Sequence, residues 1–304
     1  MGATDSDVAA DLKETLHARG VHHAQECGAT DHLFSALDAE IVDVLMYDYD
    51  LLGLDYIEVM QKIRRKVRGQ NPFLIIVATV ANSGFENVRR LISAGVDDLI
   101  VKPITADRVI QSLNTFSRKR KPFVVSHDYV GPLHRRGNGA EVAGQQVIRV
   151  PNTLRSRAIE GVSDAELEKM VTTAVERLEE KRLDAFDLAI ARLSTQIAEF
   201  HTQASKPPHD KADFEAALGE LEFIAAELRD RCHFTPFARV ADLATMLIAI
   251  VHRLFRKPIS RAAVDVQLLE KLSMAIHRAL TVERQSVGVM QEIASAVSEY
   301  TLKS

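Results

Sequence analysis

The alternation of short apolar runs with helical stretches in the first part of the sequence constrains the fold more than any other feature. Three runs rich in β-branched residues predict buried strands over Val42–Tyr47, Leu74–Ala78 and Asp98–Val101, and a weaker run predicts one over Val21–Gln25. Between and after these runs, apolar residues recur at helical spacing. This order is typical of βαβ units, so the sequence predicts an α/β doubly wound parallel sheet.

The rest of the chain follows two other patterns. Residues 119–161 contain most of the basic run RKRK and the glycine-containing run GNGAEVAGQQ, and they predict a linker with short extended segments. From residue 162 the pattern is helical throughout and opens on a capping box, Ser163 to Glu166. We predict one helix from Ser163 to nearly residue 204, then helices over about 211–232, 235–255, 260–284 and 286–304. The sequence therefore predicts an all-α helical bundle over 162–304.

Composition and charge narrow the location and the partners. The formal net charge of -4 argues against bulk attraction to nucleic acid or to anionic membranes. Cys27 and Cys232 have no metal-binding spacing, which fits a reducing compartment. The first residues lack a signal-peptide pattern, and the longest apolar run, Met246–Val251, is too short to cross a bilayer. We expect a cytoplasmic protein with no membrane contact.

Polar side chains follow the three main predicted strands at the point where each strand ends. Asp48 and Asp50 come after the first, Thr79 after the second, and Lys102-Pro103 after the third. The carboxyl ends of parallel strands meet at one edge of a sheet, where ligands collect. A carboxylate, a hydroxyl and an ammonium group suit a phosphoryl group, because they supply an acceptor, a hydrogen-bond donor and a counter-charge. The sequence therefore predicts a phosphoryl site at this edge.

In order and spacing, these residues resemble the receiver domain of two-component response regulators. The resemblance implies that Asp48 is the phosphoacceptor, since Gly53 and Asp55 match the loop that follows this aspartate in the family. Thr79 and Lys102 match the hydroxyl and the lysine that contact the phosphate, and AGVDDLIVKP matches the segment that leads to that lysine. We therefore interpret residues 1–118 as a receiver domain with a flavodoxin-like fold.

The resemblance also implies a Mg2+ ion held by the acceptor aspartate and an acidic pair that ends the first strand. Asp5 and Asp7 stand in the place of that pair, with Asp48 as the third ligand. Only four residues precede Asp5, so the first strand is truncated or missing. Three explanations compete: the start of the protein lies upstream, Pro122–Tyr129 fills the empty place in the sheet, or the receiver is degenerate and binds metal poorly.

Other positions depart from the family pattern. Asp50 lies where the family does not reserve an acid, Leu52 replaces the loop proline, and Tyr56 replaces a glycine. Leu99 stands where many members carry the aromatic residue that changes rotamer on activation. The usual coupling between the Thr79 hydroxyl and that aromatic residue is therefore in doubt.

The helical half faintly resembles a histidine-phosphotransfer bundle that lacks its histidine, because Ala226 occupies the histidine position. His233, His252 and His277 lie beside apolar residues, which favours packing over a phosphate-carrying role. The apolar stripe of the helix over 163–204 is longer than one small bundle needs, which is typical of pairing across a homodimer. The alternative is a helix that breaks near Arg182-Leu183-Asp184 and folds back within one chain. The basic cluster near Arg253 keeps DNA binding open as an unfavoured alternative.

The leading interpretation is a bacterial-type response regulator in a phosphorelay. It would receive a phosphoryl group on Asp48 from a sensor histidine kinase or a phosphotransfer protein, and signal to a downstream protein through its helical half. Apart from this self-catalysed phosphoryl transfer, we expect no enzymatic activity. A pseudo-receiver scaffold that is never phosphorylated and a DNA-binding transcriptional regulator are the alternatives.

Overall fold

A computed structural model describes residues 13–49, 56–81, 84–134, 146–203, 211–256 and 262–301, with the backbone alone over 287–301. The chain divides into two compact units, Met1–Glu179 and Glu180–Ser304. The sequence places a domain boundary after residue 118, whereas the first compact unit continues through the predicted linker. Within the described ranges, no helix is long and apolar enough to cross a membrane.

The first unit is built on a parallel sheet of three strands in the order β1-β2-β3. These strands are β1 (Val44–Asp48), β2 (Ile75–Val80) and β3 (Asp98–Val101). The three main strands predicted from the sequence are all present, and the predicted α/β class is confirmed. Every residue of the central strand β2 is buried, as expected for a parallel sheet that helices cover on both faces.

Helices of the first unit surround this sheet. Alternate residues of a strand point to opposite faces, and β2 accordingly supplies Ile76 to one apolar core and Ile75 and Val77 to another. The first core also takes Met60, and the second takes Phe116. The helices are α1 (13–18), α2 (Thr30–Ala39), α3 (Tyr56–Arg64), α4 (Phe85–Ser93), α5 (Ala106–Arg118) and α6 (Thr153–Ala158).

The weak strand predicted over Val21–Gln25 is wrong, because residues 21–27 have no regular secondary structure. Only Val21 of this run packs against an apolar core. The residues that follow it, HHAQ, have little preference for a pleated, half-buried surface. An isolated valine therefore does not make a strand here.

The predicted linker folds into a second sheet. Its three short strands are β4 (Phe123–Val125), β5 (Val130–Pro132) and β6 (Gln146–Ile148), paired antiparallel in the order β5-β4-β6. The extended segments are thus present, but they are packed, since the Phe123 ring is buried in a core with Phe73. The suggestion that Pro122–Tyr129 fills the place of the first receiver strand is wrong, because β4 pairs with β5 and β6.

A buried ion cluster ties this second sheet to the parallel sheet. The Arg64 guanidinium pairs with Asp97 at 2.7 Å and donates hydrogen bonds to the carbonyl oxygen of Gly95. Arg120, which precedes β4, pairs with the same carboxylate. Both guanidinium groups lie about 5 Å from the centre of the Phe123 ring, at 5.0 Å and 5.2 Å. The second sheet is therefore an integral part of the first unit.

Long helices make up the rest of the chain, as predicted. They are α7 (Asp164–Gln203), α8 (Lys211–Cys232), α9 (Ala238–Phe255) and α10 (Ala263–Thr301). The predicted break near residue 285 is wrong, because α10 continues through it. The residues around that point, VERQSV, contain neither proline nor glycine, so nothing in the backbone stops the helix.

The apolar stripe of α7 contributes to the core of the second unit. Phe186, Ile190, Leu193 and Ile197 are fully buried and pack with apolar residues of α8, α9 and α10. The stripe in this unit is thus covered by the same chain and does not need a second one. Pairing across a homodimer stays a prediction, but the buried part of this stripe cannot form the dimer surface.

Candidate functional site

The candidate site lies at the carboxyl edge of the parallel sheet, where Asp48, Thr79 and Lys102 come together. Asp48 is the last residue of β1 and pairs in register with Thr79 of β2. Lys102 follows the last residue of β3 directly. Residues paired in a parallel ladder point to the same face, on strands about 4.8 Å apart. We call these three residues the strand-end site.

The carboxylate and the ammonium group of this site are in direct contact. Nζ of Lys102 lies 2.7 Å from Oδ2 of Asp48, and the two side chains are 30% and 21% exposed. The Lys102 main chain is fixed by a hydrogen bond from its N–H to the carbonyl oxygen of Val80, at 2.9 Å. The lysine therefore supplies a positive charge at an aspartate that solvent still reaches.

Thr79 is buried on β2, the strand that lies between those of the two charged residues. Its hydroxyl donates a hydrogen bond of 3.4 Å to the carbonyl oxygen of Tyr47. The bond is long, which makes it a weak one. The Tyr49 N–H in turn donates to the Thr79 carbonyl oxygen at 2.9 Å and continues the ladder past the end of β1. The backbone around the site is thus fixed, while the threonine hydroxyl is held only weakly.

Tyr56 is a neighbour of the site that the sequence interpretation treated only as a departure in the loop. Its ring is buried at the start of α3 and lies 5.0 Å from the Tyr47 ring, centre to centre. Burial, and then the negative charge of Asp48, raise the pKa of Tyr56. The phenol therefore stays protonated near the aspartate. In the sequence, the feature that could have indicated this neighbour is an aromatic residue eight positions after Asp48.

The structure describes only one of the three predicted metal ligands, Asp48. Asp5 and Asp7 lie outside the described residues, as do Asp50, Gly53 and Asp55, which follow β1 in the sequence. Within the described ranges, no group of three or more His, Cys, Asp or Glu side chains comes together as a metal site. Among the predicted ligands, the structure places Asp48 alone, and a magnesium ion that keeps several waters needs only one or two carboxylates. Asp48 fits such an ion as one ligand.

The predicted bundle histidines lie at the surface. His252 contacts Glu222 and His277 contacts Asp187, each with a nitrogen-to-oxygen distance of 2.6 Å and with a histidine side chain at least half exposed. The expectation that these two pack among apolar residues is therefore wrong, because each ring contacts a carboxylate at the surface instead. His233 lies beside the Phe234 ring at 4.4 Å.

A comparison with family models assigns the first part of the chain to a family. Residues 4–114 match the family described as the response regulator receiver domain. This part of the chain is therefore a receiver domain of that family, and the resemblance seen in the sequence is confirmed. The match includes Asp48, Thr79 and Lys102, as well as the positions of Asp5 and Asp7.

Two curated proteins show what the chain is similar to. A protein named "Cyclic di-GMP phosphodiesterase" from Thermotoga maritima is 30% identical over 98 residues, which is 32% of this chain and 26% of the relative. The C4-dicarboxylate transport transcriptional regulatory protein DctD from Rhizobium meliloti is 24% identical over 153 residues, which is 50% of this chain and 32% of the relative. The chain thus spans a third or less of the length of these relatives.

Proposed function

We propose that this protein is a response regulator in a two-component phosphorelay and that Asp48 is its phosphoacceptor. The observation that carries the proposal is the ion pair between Asp48 and Lys102 at the carboxyl edge of a receiver-domain sheet. The phosphoryl donor is the phosphohistidine of a partner sensor kinase or of a phosphotransfer protein.

The transfer joins an oxygen of the Asp48 carboxylate to phosphorus. The bond between phosphorus and the histidine nitrogen of the donor breaks, and that nitrogen keeps the electron pair and takes up a proton. The phosphoryl group carries more negative charge than the carboxylate did, so the Lys102 ammonium moves its ion pair to a phosphoryl oxygen. The Thr79 hydroxyl exchanges its long bond to Tyr47 for a bond to the phosphoryl group.

Magnesium belongs to this proposal through the family. Asp48 supplies one ligand, and Asp5 and Asp7, outside the described residues, are the predicted others. The ion, when bound, neutralises charge on the incoming phosphoryl group. Lys102 supplies the remaining positive charge. It lies at the same edge of the sheet as Asp48 and follows β3, which is separated from β1 by β2.

The helical half transmits the signal through protein contacts in this proposal. Among the basic residues near the end of α9, Arg253 pairs with the buried Asp265 at 2.5 Å, which leaves it less able to contact a nucleic acid backbone. Leu247, Val251 and Leu254 of the same helix are buried, which supports its interpretation as a core helix. A downstream protein is therefore the favoured target.

Labelling with radioactive acetyl phosphate and Mg2+ tests the proposal. The wild type and Asp50→Asn take up label, whereas Asp48→Asn does not, because Asp48 is the acceptor and Asp50 stands where the family does not reserve an acid. A wild type that labels no more than Asp48→Asn contradicts phosphorylation and supports the pseudo-receiver alternative. If Asp50→Asn lost the label and Asp48→Asn kept it, the acceptor would be Asp50 and the proposal would be wrong.

A further inference from the structure

A cleft of about 810 Å3 lies at the amino edge of the parallel sheet, opposite the carboxyl edge that carries the strand-end site. One wall is a face of α5, and the other is formed by the start of β3 together with the segments before β4 and after β5. The first residue of β3, Asp98, lines this cleft, whereas the strand-end site follows the last one. The two sites are therefore separated by the length of the strand.

The wall from α5 presents cations and a hydroxyl. Arg108, Thr115 and Lys119 are spaced by seven and four residues, which places them on one helix face. All three are exposed. Lys119 makes no side-chain hydrogen bond or ion pair with any residue in the described part of the chain, and Arg108 donates only to the side chain of its helix neighbour Gln111. Two positive charges thus face the cleft without a carboxylate partner among these residues.

The opposite wall adds a third cation held in place by a histidine. Lys121 Nζ lies 3.4 Å from Nδ1 of His134, while Nε2 of that ring lies 2.7 Å from the carbonyl oxygen of Val96. Burial, and then the charge of Lys121, lower the pKa of His134. The neutral ring therefore donates from Nε2 to Val96 and accepts from the Lys121 ammonium at Nδ1. The ring thus holds the Lys121 side chain in position at the cleft.

The acids in the cleft do not cancel this charge. The Asp97 carboxylate is buried and already paired with Arg64 and Arg120. Among the described residues that line the cleft, Asp98 is the one remaining acid, and its carboxylate accepts a hydrogen bond of 2.7 Å from the Ser112 hydroxyl. Three cations against one such carboxylate give the described lining of the cleft a positive balance in a protein with a net charge of -4.

We propose that this cleft binds an organic phosphate of nucleotide size. Arg108, Lys119 and Lys121 bind the phosphate groups, because guanidinium and ammonium groups form charge-assisted hydrogen bonds with phosphate oxygens. The apolar surface of Leu133, which is 41% exposed, and the edge of Phe116 receive the base. The cleft volume lies within the range of about 300–1,000 Å3 that is usual for small-molecule sites.

Titration calorimetry of the full-length protein with ATP tests the proposal, with inorganic pyrophosphate as the competitor. The wild type binds ATP saturably, and pyrophosphate displaces it, since both place phosphates on the same cations. The double variant Arg108→Ala/Lys119→Ala binds at least about tenfold more weakly, which corresponds to the loss of a few charge-assisted hydrogen bonds. Alanine favours helix at position 108, and Lys119 lies at the helix end, so the variant folds.

Arg118→Ala is the matched control. Arg118 is exposed on the same helix but does not line the cleft, so this variant keeps the wild-type affinity. No saturable binding by the wild type at millimolar ATP overturns the proposal, and so does equal binding by the double variant. Equal weakening by Arg118→Ala and the double variant overturns it too, because the interaction is then a diffuse attraction to basic residues. Asp48→Asn should bind ATP with the wild-type affinity, because Asp48 does not line the cleft. The ATP result is therefore independent of the phosphorylation proposal.

Discussion

The side chain of Lys102 reaches across the central strand of the sheet to place its ammonium group 2.7 Å from the Asp48 carboxylate. Lys102 directly follows β3 and Asp48 ends β1. These strands are not neighbours, so the two backbones are about two strand spacings, or roughly 10 Å, apart. The buried Thr79 lies on the strand between them. A contact over this distance brings three strand ends to one point.

Lys102→Ala should separate the role of this contact in phosphorylation from its role in stability. Both partners are partly exposed, so we expect the free energy of unfolding to fall by about 1 kcal/mol or less. The extent of labelling by acetyl phosphate should fall by about tenfold or more, because the counter-charge for the phosphoryl group is lost. Chemical denaturation and quantitative labelling measure the two effects.

Lys62→Ala is the control, because Lys62 makes a partly exposed pair of similar length, 2.6 Å, with Glu58 on α3. This variant should leave labelling unchanged. If Lys62→Ala reduced labelling as much as Lys102→Ala, the effect would reflect general loss of charge.

Asp97→Asn should destabilise the first unit strongly. The substitution leaves the Arg64 and Arg120 guanidinium groups buried without their carboxylate, and breaking a buried pair in this way costs about 3–5 kcal/mol. Asp38→Asn, which removes an exposed pair with Arg68 at 2.7 Å, should cost about 1 kcal/mol or less. Urea unfolding followed by circular dichroism compares the two variants. Similar losses would contradict the role given to the buried cluster.

The same carboxylate predicts a pH dependence. Burial disfavours the charge of Asp97, but the charges of Arg120 and Arg64 outweigh burial and hold its pKa below the ordinary value. A lowered pKa stabilises the fold at pH values above the unfolded pKa of about 3.9, and this contribution is lost as the pH falls through the folded pKa. Between about pH 5 and pH 2, the wild type should therefore lose more stability than Asp97→Asn does. Parallel curves for the two proteins would contradict this.

A fragment of residues 1–118 should be less stable than a fragment of residues 1–179. The shorter fragment lacks Arg120 and Phe123, and the Phe123 ring covers both guanidinium groups in the intact unit. Removing a buried aromatic side chain alone costs about 3–5 kcal/mol. Thermal unfolding followed by circular dichroism measures the difference. Equal midpoints would show that the second sheet is only a linker after all.

Leu193→Ala should show whether the α7 stripe forms a core within one chain. Leu193 is fully buried, so its truncation should cost about 2–5 kcal/mol, whereas Leu188→Ala, at a position 49% exposed, should cost about 1 kcal/mol or less. The thermal midpoint of the wild type should not depend on protein concentration. A midpoint that rises with concentration would indicate that the stripe pairs between two chains.

Much of the receiver fold was predictable, because its strands and helices carry strong local patterns. Val44–Asp48, Ile75–Val80 and Asp98–Val101 are apolar runs between helical stretches, and the polar residue at each strand end follows from the topology. The contact of Lys102 with Asp48 could be expected for the same reason. The role of each residue in phosphoryl transfer stays a prediction.

The second sheet was not predictable in the same way. Its three strands have three residues each, such as VGP in β5, and such runs are too short for a periodic pattern. Their stability comes from distant partners, since the cluster joins Arg64 to Arg120 over many residues of sequence. The start of α9 at Ala238 also depends on a contact outside the helix. The Thr235 hydroxyl accepts a hydrogen bond from the Phe237 N–H and holds the turn before the helix.

Intact-mass spectrometry after incubation with acetyl phosphate and Mg2+ tests the central claim most directly. The wild type should gain the mass of one phosphoryl group, and Asp48→Asn should gain none. Treatment with hydroxylamine should remove the added mass, since it cleaves acyl phosphates. A wild type that gains no mass, or an Asp48→Asn variant that gains as much as the wild type, would contradict Asp48 as the phosphoacceptor.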